Sequence, residues 1–234
     1  MCIRDSTHPE LLDWLASRFV AEGWSVKRLV REVVLSRTYR QSSAHNEAAF
    51  RADPDNRLLW RMPKRRLEAE AIRDAMLQVS GALDRRMGGP GYDLWEYSGY
   101  VIVFKPKAKL GPAEFRRMVY QFKPRSQQDP TFGVFDCPDA ALARPRRTAS
   151  TTVLQALNLL NSRFMIDQAD FFAGRLKREA GDDPARQVER AFRLAFGRKP
   201  SEEELKASVA LVREHGTEAL CRALYNANEF LYAD

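Results

Sequence analysis

Residues 144–166 constrain the fold more than any other stretch. They run from a basic, proline-containing loop into the clearest helix start in the sequence. Thr152 and Gln155 stand at capping-box spacing, so the hydroxyl can accept from the N–H three residues on while the amide reaches back. Leu154, Leu157 and Leu160, with Ala156 and then Phe164, recur at helical spacing and predict one buried face. Arg144, Arg146 and Arg147 precede this start, and Gln155, Asn158 and Asn161 lie on or near it. The stretch anchors a fold and places polar groups beside it, but it names no reaction.

Other segments punctuate the chain in the same way. Thr7 and Glu10 fit a capping box with Pro9 in the first turn, and Leu11, Leu12, Trp14, Leu15 and Phe19 give the helix an apolar face. Gly23 ends it. Ser25 caps a second helix in which Val26, Leu29, Val30, Val33 and Val34 share a face, so the two read as a helical hairpin. A short helix over 46–52, a turn at 53–56 and a buried Leu58, Leu59 and Trp60 follow. Residues 67–79 read as a helix with Gly81 as its end signal. Gly88-Gly89-Pro90-Gly91 is a loop without the lysine and hydroxyl of a phosphate loop. Tyr100–Phe104 reads as a strand, and Gly111-Pro112 as the start of a helix through Tyr120. Prolines at 124, 130, 138 and 145 predict an irregular segment from 122 to 147. Four more helices are expected: 167–180, one from 183, one from Ser201 with Glu204 as capping partner, and one over 217–230. The sum is a mainly α, multi-helix domain with a long irregular proline-rich segment and at most a small β element. Residues 7–234 are read as a single domain, and residues 1–6 as a non-native leader.

Charge is the most suggestive compositional feature. The net charge is +7 and the pI about 9.5. Much of the excess sits at 105–125, where Lys105, Lys107, Lys109, Arg116, Arg117, Lys123 and Arg125 face Glu114 alone. Such a field attracts anions of many kinds, although charged residues ordinarily form a plain solvated surface. Phe104, Phe115, Tyr120 and Phe122 are interleaved with these cations, but no nucleic-acid-binding motif accompanies them, so nucleic acid is disfavoured as a partner. Cysteine is limited to Cys2, Cys137 and Cys221. A Cys137–Cys221 bridge is one possibility and free buried thiols the other. No apolar run reaches the length of a membrane span.

Residues that could carry chemistry are sparse. His8, His45 and His215 form no His-Glu-x-x-His pair, and His8, Glu10 and Asp13 read better as helix-start groups than as metal ligands. No Gly-x-Ser-x-Gly is present, and no metal or cofactor is expected in this stretch of chain. Asp136 and Asp139 flank Cys137-Pro138 just before the three arginines. They read either as an exposed acid-and-arginine site or as a structural pin in which Asp136 pairs with an arginine. The pin is favoured, because a partly buried loop needs paired polar groups. Cys137 has no neighbouring histidine to activate it.

Several motifs together resemble a known family. They are Thr7-His8-Pro9-Glu10-Leu11-Leu12-Asp13-Trp14-Leu15-Ala16, Gly23-Trp24-Ser25-Val26-Lys27, Ser36-Arg37-Thr38-Tyr39-Arg40-Gln41-Ser42-Ser43 and Asn56-Arg57-Leu58-Leu59-Trp60. Later come Phe135-Asp136, Arg146-Arg147, Gln155-Ala156-Leu157-Asn158-Leu159-Leu160-Asn161 and Asn226-Ala227-Asn228-Glu229-Phe230-Leu231. The chain resembles the planctomycete-rich family called domain of unknown function 1553 over nearly all of residues 7–234. Val153 departs from it, since the family commonly has proline there. The resemblance implies the C-terminal part of a large, exported, extracytoplasmic protein. Its upstream domains would include a second uncharacterised domain and sometimes a cytochrome c-like module. The haem attachment motif is absent here, so haem would belong elsewhere. No reaction and no catalytic residue transfer. The expectation is therefore a non-catalytic interaction module, binding anionic polysaccharide through Arg116, Arg117, Arg125, Arg144, Arg146 and Arg147. The alternative is part of an enzyme acting on complex carbohydrate, with Asp136 or Asp139 in its site. An open cleft lined by these groups would favour the enzyme, and mutual pairing would favour the pin.

Overall fold

In a computed structural model, the described residues are 7–98, 103–138, 141, 147 and 149–233. Among the described residues the structure is mainly α, with ten helices and two small antiparallel sheets. The described residues divide into two compact units, one within residues 7–65 and one within residues 66–233.

The first unit holds α1 (Pro9–Ala21), α2 (Val26–Leu35) and α3 (Glu47–Ala52). The expected hairpin of α1 and α2 is present, tied by Arg18, whose guanidinium lies 2.7 Å from Glu32 and 3.1 Å from Glu22. Phe19 packs edge-on against Trp24. The helix starts are only partly as expected. Ser25 Oγ does accept from Arg28 N–H, but His8, not Thr7, occupies the cap of α1 and makes no capping bond through its side chain. Thr7 Oγ1 lies instead 2.9 Å from His8 Nδ1. Asn46 caps α3 by accepting from Ala49 N–H. The turn after α3 is built on Asp53, which accepts from the N–H groups of Arg57 (3.0 Å) and Leu58 (2.7 Å). Trp60 Nε1 donates to the Asp53 carbonyl. These bonds fix the backbone without burying Leu58, which is 77% exposed against expectation. Neither α1 nor α2 buries a residue, so their apolar faces remain at the surface.

The second unit is organised around α6 (Arg163–Ala180), which packs against α4 (Ala69–Ser80), α5 (Val153–Asn161), α7 (Pro184–Ala195) and α9 (Thr217–Asn226). α8 (Glu202–His215) covers α7 and α9, and α10 (Asn228–Leu231) closes the chain. Ile72, Met76, Phe172, Leu176, Val188, Leu220 and Tyr225 form the centre of the core. Each large apolar side chain removed from water contributes about 1.5–3 kcal/mol. Tyr225 also donates its hydroxyl to the Met76 carbonyl. Cys221 is buried and Cys137 half-buried, and both are free thiols.

Cap chemistry sets the helix boundaries here. Thr152 with Gln155 and Ser201 with Glu204 both form the reciprocal boxes that their spacing predicts. α4 ends on Gly81 at φ 80°, in the left-handed region, and Arg175 Nη1 donates to the carbonyls of Gln78 and Val79 in its last turn. Arg198 grips both Glu204 and Glu229. Its hydrogen bonds, with the Ser201 N–H, hold the Glu204 carboxyl down at about 2.

Two expectations fail for identifiable reasons. The leucine face of α5 is turned outward: Leu154, Leu157 and Leu160 are exposed, while Gln155 and Leu159 are buried. The helix also stops at Ser162, so Phe164 belongs to α6. Residues 111–120 are not one helix but two three-residue 3₁₀ turns, Pro112–Glu114 and Met118–Tyr120. Their backbone groups are taken by other elements. Arg73 draws on the carbonyls of Glu114 and Arg116, Asp84 N–H on that of Phe115, and Asp74 accepts from Met118 N–H. Of the strand expected at Tyr100–Phe104, residues 103 and 104 lie in β3 (Val103–Pro106), which pairs with β2 (Trp95–Ser98), Trp95 opposite Pro106; residues 100–102 lie outside the described residues. A second small sheet joins β1 (Arg65–Arg66) to β4 (Tyr232–Ala233).

Two substitutions separate the core from the outward leucines. Phe172→Ala should cost about 3–5 kcal/mol of unfolding free energy, by loss of apolar burial plus a cavity. Leu157→Ala should change it by less than about 0.5 kcal/mol. Urea denaturation measures both.

Candidate functional site

The irregular segment is fastened at one polar knot. Asp136 follows the 3₁₀ turn Gly133–Phe135 with φ 58°, a left-handed conformation that aspartate tolerates better than most residues. This turn aims the carboxylate at Arg66 and Ser150. Oδ2 accepts from Arg66 Nη2 at 2.7 Å and from Ser150 N–H at 2.8 Å, and Oδ1 accepts from the Ser150 hydroxyl at 2.8 Å. Arg66 Nη1 donates to Gln155 Oε1 and to the Ser150 carbonyl. Gln155 Nε2 then donates to the Val134 carbonyl. The residue that starts α5 thus also ties that helix to the turn before Asp136.

Electrostatics follow this geometry. Burial pushes the Asp136 carboxyl up, but the Ser150 N–H, the Ser150 hydroxyl and Arg66 outweigh it and hold the group below the usual carboxylate range. Cys137 behaves in the opposite way. Burial raises its thiol, against the pull of Lys123 Nζ at 2.7 Å, so it is not an activated nucleophile. Beside it, Arg147 holds Glu70 through both guanidinium nitrogens, at 2.6 and 3.0 Å, and approaches Glu68 at 3.2 Å. Among the described residues no group of three histidine, cysteine, aspartate or glutamate side chains could hold a metal ion.

The proposed binding arginines that are described have different surroundings. Arg116 is buried, 7% exposed, and donates to the carbonyls of Arg86, Gly88 and Pro90 with its guanidinium 4.0 Å from the Tyr120 ring centre. Its terminal nitrogens hold the glycine-rich loop. Arg117 is exposed beside Asp74, and Arg125 is exposed. Arg147 is exposed but committed to Glu70. Arg144, Arg146 and Asp139 lie outside the described residues. Of the cations at 105–125, Lys107 is paired with Glu114 and Lys123 lies against Glu70 and Cys137. Lys105, Lys109, Arg117 and Arg125 remain outward.

Pairing with an arginine is expected of Asp136, and among the described residues the partner is Arg66, 70 residues upstream. No local pattern marks Arg66 or Ser150 for this role. Gln155 was visible as a capping residue, and only its second set of bonds was not.

A family model described as "Protein of unknown function (DUF1553)" matches residues 4–212. No curated protein and no solved structure matches the chain.

Removing the knot should reveal its structural role. Arg66→Ala leaves a partly buried carboxylate short of its ionic partner and should cost about 2 kcal/mol. Because the folded Asp136 carboxyl lies below its ordinary value of 3.8, the knot contributes fully above that pH. Its contribution fades as pH falls through the lowered value. Wild-type melting temperature should therefore drop more steeply below about pH 4 than that of Asp136→Asn.

Proposed function

From the premise that the chain belongs to the family "Protein of unknown function (DUF1553)", whose model covers residues 4–212, we propose that it is a non-catalytic interaction module. It holds an anionic polysaccharide on the surface of residues 105–125. The observation that supports this reading is the sorting of the cations. Once Arg116, Lys107 and Lys123 are spent on internal partners, Lys105, Lys109, Arg117 and Arg125 still face outward on one segment.

Exposed cations of this kind recognise a repeating polyanion through summed, salt-sensitive attraction, and need no shaped pocket. Asp136 fits the same reading. A carboxylate whose two oxygens already accept three bonds is poorly suited to hand a proton to a substrate. The module would serve a large extracytoplasmic planctomycete-type protein, of a kind that sometimes carries a cytochrome c-like module.

Retention on a heparin column tests the proposal. The variant Lys105→Ala/Lys109→Ala/Arg125→Ala should elute at clearly lower salt than wild type, and Arg117→Ala should add to the loss. Arg116→Ala instead should lower stability. Unchanged elution of the triple variant, or no retention of the wild type, would overturn the reading.

A further inference from the structure

One cavity in the second unit has the make-up of a ligand site. It lies between the β2–β3 hairpin with the residues that follow it and the first two turns of α6, and its volume is about 310 Å³. That is at the small end of ligand pockets, room for one monosaccharide-sized molecule rather than a chain. Leu94, Phe115 and Phe164 supply apolar wall, each 5–6% exposed. The polar side is the start of α6, where residues 163 and 167, and 164 and 168, stack one turn apart.

Two groups on that side lack partners. Gln168 is fully buried, at 0% exposure, and lines the cavity. Its Oε1 accepts from the Ser80 hydroxyl at 2.7 Å, but its Nε2 has no hydrogen-bond partner among the described residues. Ser162 Oγ is likewise buried and unpaired, and Ser162 makes no capping bond through its side chain at the start of α6. An unmet amide donor in a buried site costs about 1–3 kcal/mol, which an acceptor brought by a ligand would recover. The uncapped first turn of an 18-residue helix favours that acceptor being anionic. Arg163 strengthens the preference, while its partner Asp167, at 2.8 Å, can take only a donor.

We propose that this cavity binds a small hydroxycarboxylate, sugar acids among them. The carboxylate meets Gln168 Nε2, Ser162 Oγ and the start of α6. A hydroxyl of the ligand donates to Asp167, and its apolar edge lies against Leu94, Phe115 and Phe164. The site goes beyond the surface reading, because it needs none of Lys105, Lys109 or Arg125.

Calorimetric titration of the full chain with D-glucuronate, and with glucose as the uncharged control, tests it. Wild type should bind glucuronate saturably and glucose at least tenfold more weakly. Gln168→Glu replaces the donor with an acceptor at constant size and should weaken glucuronate at least tenfold. Ser162→Ala removes only one unpaired hydroxyl and Arg163→Ala alters a largely exposed side chain, so both keep the test open should Gln168→Glu fail to fold. Each should weaken glucuronate severalfold at unchanged melting temperature. The triple variant Lys105→Ala/Lys109→Ala/Arg125→Ala should bind glucuronate like wild type even where it has lost heparin. No saturable glucuronate binding, equal affinity for glucose, or full affinity in both Ser162→Ala and Arg163→Ala would overturn the assignment.

Discussion

Guanidinium groups bonded to backbone carbonyls hold the second unit together where regular secondary structure does not. Between α4 and α5 the chain has little helix or sheet in which to satisfy its own peptide groups, and buried peptide groups must be satisfied somewhere. Arginine meets this need with five donors in a planar fork. Arg73, 1% exposed, donates to the carbonyls of Glu114 and Arg116, with Tyr92 and Phe164 near its face. Arg116 serves three carbonyls of the glycine-rich loop, and Arg66 the Ser150 carbonyl. Burial lowers the Arg73 pKa, and the nearby side chains of Tyr92 and Asp74 offset part of that cost. A lysine, with one compact ammonium, could not reach such diverging acceptors.

The same side chains explain where the sequence was legible. Most helix starts were, because a cap is a local contract between residues three apart: the Thr152–Gln155 and Ser201–Glu204 boxes stand where the spacing puts them, although the Thr7–Glu10 box does not form. So was the end of α4, because Gly81 needs a positive φ that few other residues adopt. Mainly α architecture followed from these signals and from the apolar periodicity. What failed was non-local. Periodicity reports that α5 has an apolar stripe, but not that Gln155 would be drawn inward by Arg66 and the Val134 carbonyl while Leu154 and Leu157 face out.

Residues 111–120 show the same limit from the other side. Their local preference is compatible with a helix, yet Arg73, Asp74 and Asp84 take the backbone groups that a helix would use internally. The cation-rich stretch was read as one surface because charge is counted along the chain. In space it splits, with Arg116 inside and Arg117 outside, since adjacent residues on an extended backbone point opposite ways. The knot at Asp136 lay between these cases: its need for an arginine was readable, but the identity of that arginine was not.

The reach of Arg66 also bears on the order of events in folding. Its partners lie 70, 84 and 89 residues further along the chain, and Tyr225 meets Met76 across 149. Closing loops of that length forfeits chain entropy before any contact returns it, so bonds between distant residues form slowly. The guanidinium of Arg66 therefore has no complete set of acceptors until α4, α5 and the turn before Asp136 have converged. The amides around Asp136 should therefore gain protection from exchange only after the helices have met.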